Sequence, residues 1–204
     1  ISLASLALII TFSTGLWNIG IEGQIVLGAI GATVIAKSLL GENALSPLYQ
    51  LIIGVSFGSV WGLFCGFLKV KFNVHEIFGG LGLYFVGSGA IIYLILGPWS
   101  KEGIASTSGT DIFNNASWFP TFSDLNIPAL PILIVSVILI LSIVFLGFTK
   151  TGLKLKATGT NPDSTEKFQF SSGIYIFIAF AIAGGIAGLA GVFQASVFLS
   201  LIHI

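Results

Sequence analysis

Charge is what this chain has least of. Only 8% of its 204 residues are Asp, Glu, Lys or Arg, against about 25% in a soluble domain. A soluble fold of this size needs a polar surface, so the deficit excludes one and makes lipid the main solvent. Arginine is absent, and eight lysines balance eight acids. That balance leaves no basic face for a nucleic-acid partner. The single cysteine, Cys65, excludes an internal disulfide and a Cys-rich metal site. It lies in an apolar run and reads as a small packing residue. Methionine is absent too, an initiator included, and the sequence is apolar at both ends. We therefore read the chain as a piece of a longer protein. The opening ISLASLALII lacks the basic start and cleavage region of a signal peptide. No GxxxxGK[ST] phosphate loop, Ser/His/Asp arrangement or metal-ligand cluster stands out, and His75 has no second histidine near it. No catalytic residue, metal site or cofactor is assigned to this chain.

What is present is apolar sequence in long runs. A helix needs about 20 apolar residues to cross the hydrocarbon core. Five runs qualify, 19–40, 47–68, 76–97, 128–148 and 173–199, with a short or truncated sixth at 2–16. Backbone groups cannot stay unpaired in lipid, and the alternation of a β-barrel is missing, so the class is all-α. The expected architecture is a polytopic α-helical membrane protein of five to six transmembrane helices, forming a single domain over 1–204.

Lysines set the direction. Lys69 and Lys71 end one span, and Lys150, Lys154, Lys156 and Lys167 lie in the 149–172 loop. The positive-inside rule makes both loops cytoplasmic and the 98–127 loop extracytoplasmic. Lys101, in the 98–127 loop, and Lys37, which ends the 19–40 span, fall on the other side; Lys37 runs against the rule, but near a helix end it can snorkel. The outer loop is rich in Ser, Thr, Asn, Gly and Pro, with Trp99 and Trp118 suited to the interface. It is expected to be a surface connection with little regular structure. Its Asn115-Ala116-Ser117 spells a glycosylation acceptor, a triplet that recurs by chance.

Gly54, Gly58, Gly62 and Gly66 recur every fourth residue and form one bare stripe on the 47–68 helix. Small-residue stripes let helix backbones approach closely in lipid. Ala183, Gly184, Ala187, Gly188 and Gly191 repeat the pattern in the last span. The stripe reads as tight structural packing or as a sliding surface, and the two are compatible.

Polar groups inside apolar sequence carry more information. Asn18, Glu22 and Gln24 lie within seven positions, flanked by Gly15, Gly20 and Gly23, which make an interrupted helix plausible. Such breaks form binding sites in transporters. Glu22 either lines a solute route or sits at the membrane edge bonded to backbone across a helix contact. Asn73 is expected to N-cap the 76–97 helix, with Glu76 three residues on as in a capping box. The 149–172 loop carries turn chemistry at Gly159 and Asn161-Pro162. Asp163 or Ser164 is expected to cap a short helix running toward Phe170, a natural docking element.

These regions together resemble the permease subunits of bacterial ABC importers in the branched-chain amino acid, ribose and simple-sugar group. NIGIEGQIVLGA is similar to the NIG-x-EGQ segment of its nucleoside and simple-sugar subgroup. Asn73 to Ile77 resembles the following Asn-Glu-Val/Ile element, with His75 inserted. GLKLKATGTNP and AGGIAGLAGVFQ resemble the cytoplasmic Gly-Leu-x-x-Arg-Ala-x-Gly-x-Asn-Pro segment and the Gly-Ala run after it. The four elements occur in order across roughly residues 12–198. Lys156 stands where the family has Arg, and Ser164-Thr165 where it has small residues. Ser200–Ile204 match nothing in the pattern.

The resemblance implies a non-catalytic permease that moves a nucleoside or simple sugar across a bacterial cytoplasmic membrane by alternating access. ATP would be hydrolysed on separate ABC ATPase subunits. It implies a second permease subunit and an extracytoplasmic solute-binding protein as further partners. Asn18, Glu22 and Gln24 would lie near the translocation route. Lys156, Gly159, Asn161 and Pro162 would receive the motion of the ATPase, making 149–172 the coupling loop. The competing reading is an ion-coupled secondary transporter, which needs buried acids on several helices. Glu22 alone qualifies. An intramembrane enzyme would need clustered His, Asp or Ser within the spans, and these are scarce.

Overall fold

A computed structural model describes residues 1–100, 110, 113–119, 129–161 and 171–198. Among them the regular structure is helical throughout. The helices are α1 (Ser2–Phe12), α2 (Ile21–Ala36), α3 (Ser46–Phe72), α4 (Glu76–Leu96), α5 (Ala129–Phe148), α6 (Lys150–Thr160) and α7 (Ser172–Phe193). Single 3-10 turns occupy Leu39–Glu42 and Asn115–Ser117, and a π-helical turn, Gln194–Phe198, follows α7. α3, α4, α5 and α7 are long and apolar enough to span a bilayer. The chain is thus a multi-pass α-helical membrane protein.

The 19–40 run is shorter as a helix than its hydropathy suggests. α2 has 16 residues, about 24 Å at 1.5 Å per residue, against a core of about 30 Å. Polar turns trim it at both ends. Asn18 to Gly20 is non-helical, and Ser38 accepts the Leu40 amide to start the 3-10 turn. The 2–16 run is likewise helical only to Phe12. α3, by contrast, runs past Leu68 to Phe72, so Lys69 and Lys71 sit on its last turn. Basic residues there favour the helix C-terminus.

The turn after α3 differs from the expected capping box. Asn73 takes the left-handed conformation (φ 51°) and ends α3, with the Val74 amide reaching back to the Leu68 carbonyl at 3.1 Å. Asn tolerates this region better than most residues do, which suits it to a C-cap. His75 caps α4 instead, its Nδ1 accepting from the Ile77 amide. Glu76 becomes the first residue of α4 and pairs with Lys69 at 2.8 Å, clasping the two helices.

The polar stretch after α5 is not a plain loop, since residues 150–160 form α6. Thr149 is extended and makes the break: its hydroxyl donates to the Phe145 carbonyl and accepts from the Gly152 amide. Gly152 lets the chain fold back, because a Cβ there would overlap the Phe145 carbonyl oxygen. The helix expected from Asp163 or Ser164 toward Phe170 lies outside the described residues.

α7 is the centre of the bundle, packed by α1, α2 and α3, while α4 packs on α2 and α3 and α5 packs on α1 and α6. Ala179, Ala183 and Ala187 are fully enclosed on it. The start of α2, the end of α3 and the start of α4 meet at one end, where Gly20 abuts Gly80 and Cys65. Gly41, Ser46 and Ser117 meet at the other. The 113–119 segment departs from the expected surface connection. Phe113, Ser117 and Phe119 are buried against the bundle.

Candidate functional site

Between α1 and α2 the chain turns at Ser13–Gly15 and runs without regular structure to Asn18. Gly15 has φ +75°, a conformation that excludes most side chains. This turn brings the Asn18 side chain back over the first turn of α2. Asn18 and Gln24, 2% and 0% exposed, face each other amide to amide. Each donates to the other's carbonyl oxygen at 3.2 Å. Gln24 also lies 3.9 Å from the Cys65 sulfur of α3. Buried amides are stable only when bonded, and this closed pair meets the requirement within one short segment.

Glu22 behaves differently from its two neighbours. It sits on the first turn of α2, on the exposed side. Among the described residues it enters no ion pair. Its charge favours the positive end of α2. Asn18 and Glu22 do not form the shared helical face that four-residue spacing gives in an unbroken helix. The helix starts only at Ile21, so Asn18 pairs with Gln24.

The glycine stripe meets the stripe on α7. A Cβ on Gly58 would overlap the Gly184 carbonyl oxygen, and one on Gly62 the Phe180 carbonyl oxygen. Gly54 faces the side chain of Val192. Gly66 is the exception: a Cβ there would rest 3.4 Å from Phe180, an ordinary contact. The seam also extends beyond the stripe. Gly28 of α2 abuts Gly188, and Gly191 abuts the Ile25 carbonyl. The GxxxxG spacing of Gly23 and Gly28 hid this from a reading based on four-residue repeats.

α6 lies at the same end as the amide pair. Leu155 and Thr158 are buried, while Lys156 and Asn161 are exposed and Lys154 lies over the Tyr175 ring. Asn161 ends the helix, its amide bonded to the Ala157 carbonyl. Pro162 lies outside the described residues. Gly159 touches the Ser13–Gly15 turn backbone to backbone. A Cβ there would stand 2.7 Å from the Gly15 nitrogen and 2.8 Å from the Thr14 carbonyl carbon. The last turn of α6 therefore rests on the segment that positions Asn18. Nothing in the local sequence signals this contact, because the two glycines are far apart along the chain.

No group of three His, Cys, Asp or Glu residues suited to a metal ion occurs among the described residues.

The profile of the family described as "Branched-chain amino acid transport system / permease component" matches residues 1–201. The chain is 31% identical over 206 residues to a glucose ABC transporter permease protein of Haloferax volcanii, covering 93% of this chain and 54% of that one. It is 28% identical over 200 residues to a nucleoside ABC transporter permease protein of Lactococcus lactis, covering 93% and 54%. It is 27% identical over 196 residues to a guanosine ABC transporter permease protein of Bacillus subtilis, covering 94% and 56%. The chain thus spans about half the length of these relatives. No solved structure matches it.

Proposed function

Because the chain belongs to the family of branched-chain amino acid transport system permease components, we propose that it is part of the translocation subunit of an ABC importer. It carries a nucleoside or simple sugar across a bacterial cytoplasmic membrane by alternating access, and a separate ATPase chain supplies the energy. Relatives named for glucose, nucleoside and guanosine support a cargo that contains a sugar ring. The expected partners are ABC ATPase subunits, a second permease and an extracytoplasmic solute-binding protein. In this reading the end bearing Lys69, Lys71 and α6 faces the cytoplasm, and 98–127 faces out.

The observation that carries the proposal is the seat of Gly159 on the Ser13–Gly15 turn. A push on the exposed face of α6, which bears Lys156 and Asn161, has a rigid backbone contact through which to reach the buried Asn18–Gln24 pair. The contact has no side chain to absorb the displacement. We assign Glu22, exposed on the first turn of α2, to the solute route, and the glycine seam of Gly54, Gly58 and Gly62 to the packing against which the helices shift.

Uptake by the complete transporter tests this. Gly159→Leu and Asn161→Ala abolish or sharply reduce ATP-dependent uptake of labelled nucleoside or sugar, while the subunits still co-purify from membranes. Normal uptake by both variants contradicts the role of α6. Uptake by the permease alone, driven by an ion gradient, contradicts the class.

A further inference from the structure

The other end of the bundle holds a polar circuit that the proposed function does not use. Ser46 and Gln50 on the first turns of α3, Ser117 in the 113–119 segment and Ser196 in the π-helical turn are each at most 1% exposed. Their bonds have one consistent direction. The Ser117 hydroxyl has a single proton, and it goes to the Gly41 carbonyl at 2.8 Å. Ser46, 2.9 Å from the same oxygen, must therefore donate to Ser117. With its own proton spent, Ser46 accepts from the Gln50 amide nitrogen at 3.2 Å. That nitrogen's second hydrogen goes to the Ser117 carbonyl at 3.0 Å. The Gln50 amide cannot be flipped, because this would set two carbonyl oxygens against each other. Gln50 Oε1 then accepts from Ser196.

Every donor proton of these four side chains is committed. Gln50 is the hub, tying the turn after α2, the start of α3, the 113–119 segment and the end of α7. Removing one bond leaves a buried group unsatisfied elsewhere, so the members hold or release together. Apolar anchors flank the circuit. Phe119 meets Phe193 edge to face at 5.6 Å, and the Trp118 indole nitrogen donates to the Phe113 carbonyl at 3.1 Å. Ser196 lies in the π-helical turn Gln194–Phe198, a rare geometry that is frequently found at functional sites.

We propose that residues 113–119 are a clasp over this end of the bundle, closed by the Gln50 circuit and released as one unit during the working cycle. Gln50 is its positioning residue. The clasp stands apart from the coupling role given to α6, since it lies at the opposite end.

Two experiments on the complete protein in its membrane test it. The first reads clasp opening as the maleimide labelling rate of Ala195→Cys in a Cys65→Ala background, in membranes opened to both faces. Ala195 is buried in the cluster that holds Phe119 and Phe193. Gln50→Leu raises the rate about tenfold, Ser196→Ala raises it similarly, and the double variant adds nothing further. An unchanged rate, or effects that multiply in the double variant, overturns the circuit. The second is Ser46→Cys with Ser117→Cys. The disulfide stops ATP-dependent uptake, and a reductant returns it to the level of the Ser46→Cys and Ser117→Cys single variants. Full uptake with the disulfide complete overturns release of the clasp. Absence of ATP-dependent uptake in the unmodified transporter counts against the transport reading, and the labelling rates then judge the clasp alone.

Discussion

At the scale of single residues the buried amides make the clearest demands. Asn18→Leu leaves Gln24 with an unmet amide, and the converse holds for Gln24→Leu. Each costs about 1–3 kcal/mol, the penalty for stranding a buried polar group. The double substitution removes both amides and is predicted to recover much of the loss. Thermal melts in detergent read this directly. Two single losses that simply add would show that the amides do not act as a pair. The glycines make a second demand, and it is graded by position. Gly58→Ala and Gly62→Ala push a methyl into carbonyl oxygens of α7, whereas Gly66→Ala meets only ordinary contacts. The first two variants therefore lose monodisperse protein on extraction from membranes, and Gly66→Ala does not. Equal behaviour of all three would contradict the described seam.

At the scale of elements the turn between α3 and α4 offers a sharper test than the helices do. Asn73 holds φ 51°, which costs an ordinary L-residue roughly 1–2 kcal/mol. Asn73→Gly is thus predicted to be neutral or mildly stabilising and Asn73→Val destabilising by about that amount, as measured by thermal unfolding. The reverse order would restore Asn73 to the N-cap role suggested by its spacing from Glu76. That spacing misled because α3 does not stop where its apolar run stops. Lys69 and Lys71 continue the helix in its last turn, and this moves the cap of the next helix from Asn73 to His75. The long spans were legible because twenty apolar residues in lipid leave the backbone one solution. The Gly54–Gly62 stripe was legible for a similar reason, a repeat in phase with the helix. α6 was read as loop because its Thr and Gly residues are weak helix formers and its lysines mark it as solvent-facing. Leu155 and Thr158 are buried only by tertiary contact. Gln50 was overlooked, although an amide within an apolar run is itself a sign that a partner exists. The partners, Ser117 and Ser196, lie 67 and 146 positions away.

At the scale of the whole molecule the polar groups of the described residues gather at two opposite ends. One end gathers Lys69 and Lys71, the Lys69–Glu76 pair, α6 and the Asn18–Gln24 amides; the other gathers the turn after α2, the start of α3 and the 113–119 segment. The groove of about 680 Å³ between α5 and α7, lined by Ser59, Ser142 and Gly185, lies between these ends and is almost wholly apolar. In the proposed transporter the first end faces the cytoplasm and an ATPase, so the side of the membrane on which α6 lies decides whether that reading holds. The direct measurement is a single cysteine at Lys156 in a Cys65→Ala chain, probed with an impermeant maleimide and then with a short cross-linker in membranes containing the whole transporter. The account predicts no labelling in intact cells, labelling in inverted vesicles, and a cross-link to the ATPase chain. Rapid labelling of Cys at position 156 from outside intact cells would contradict it.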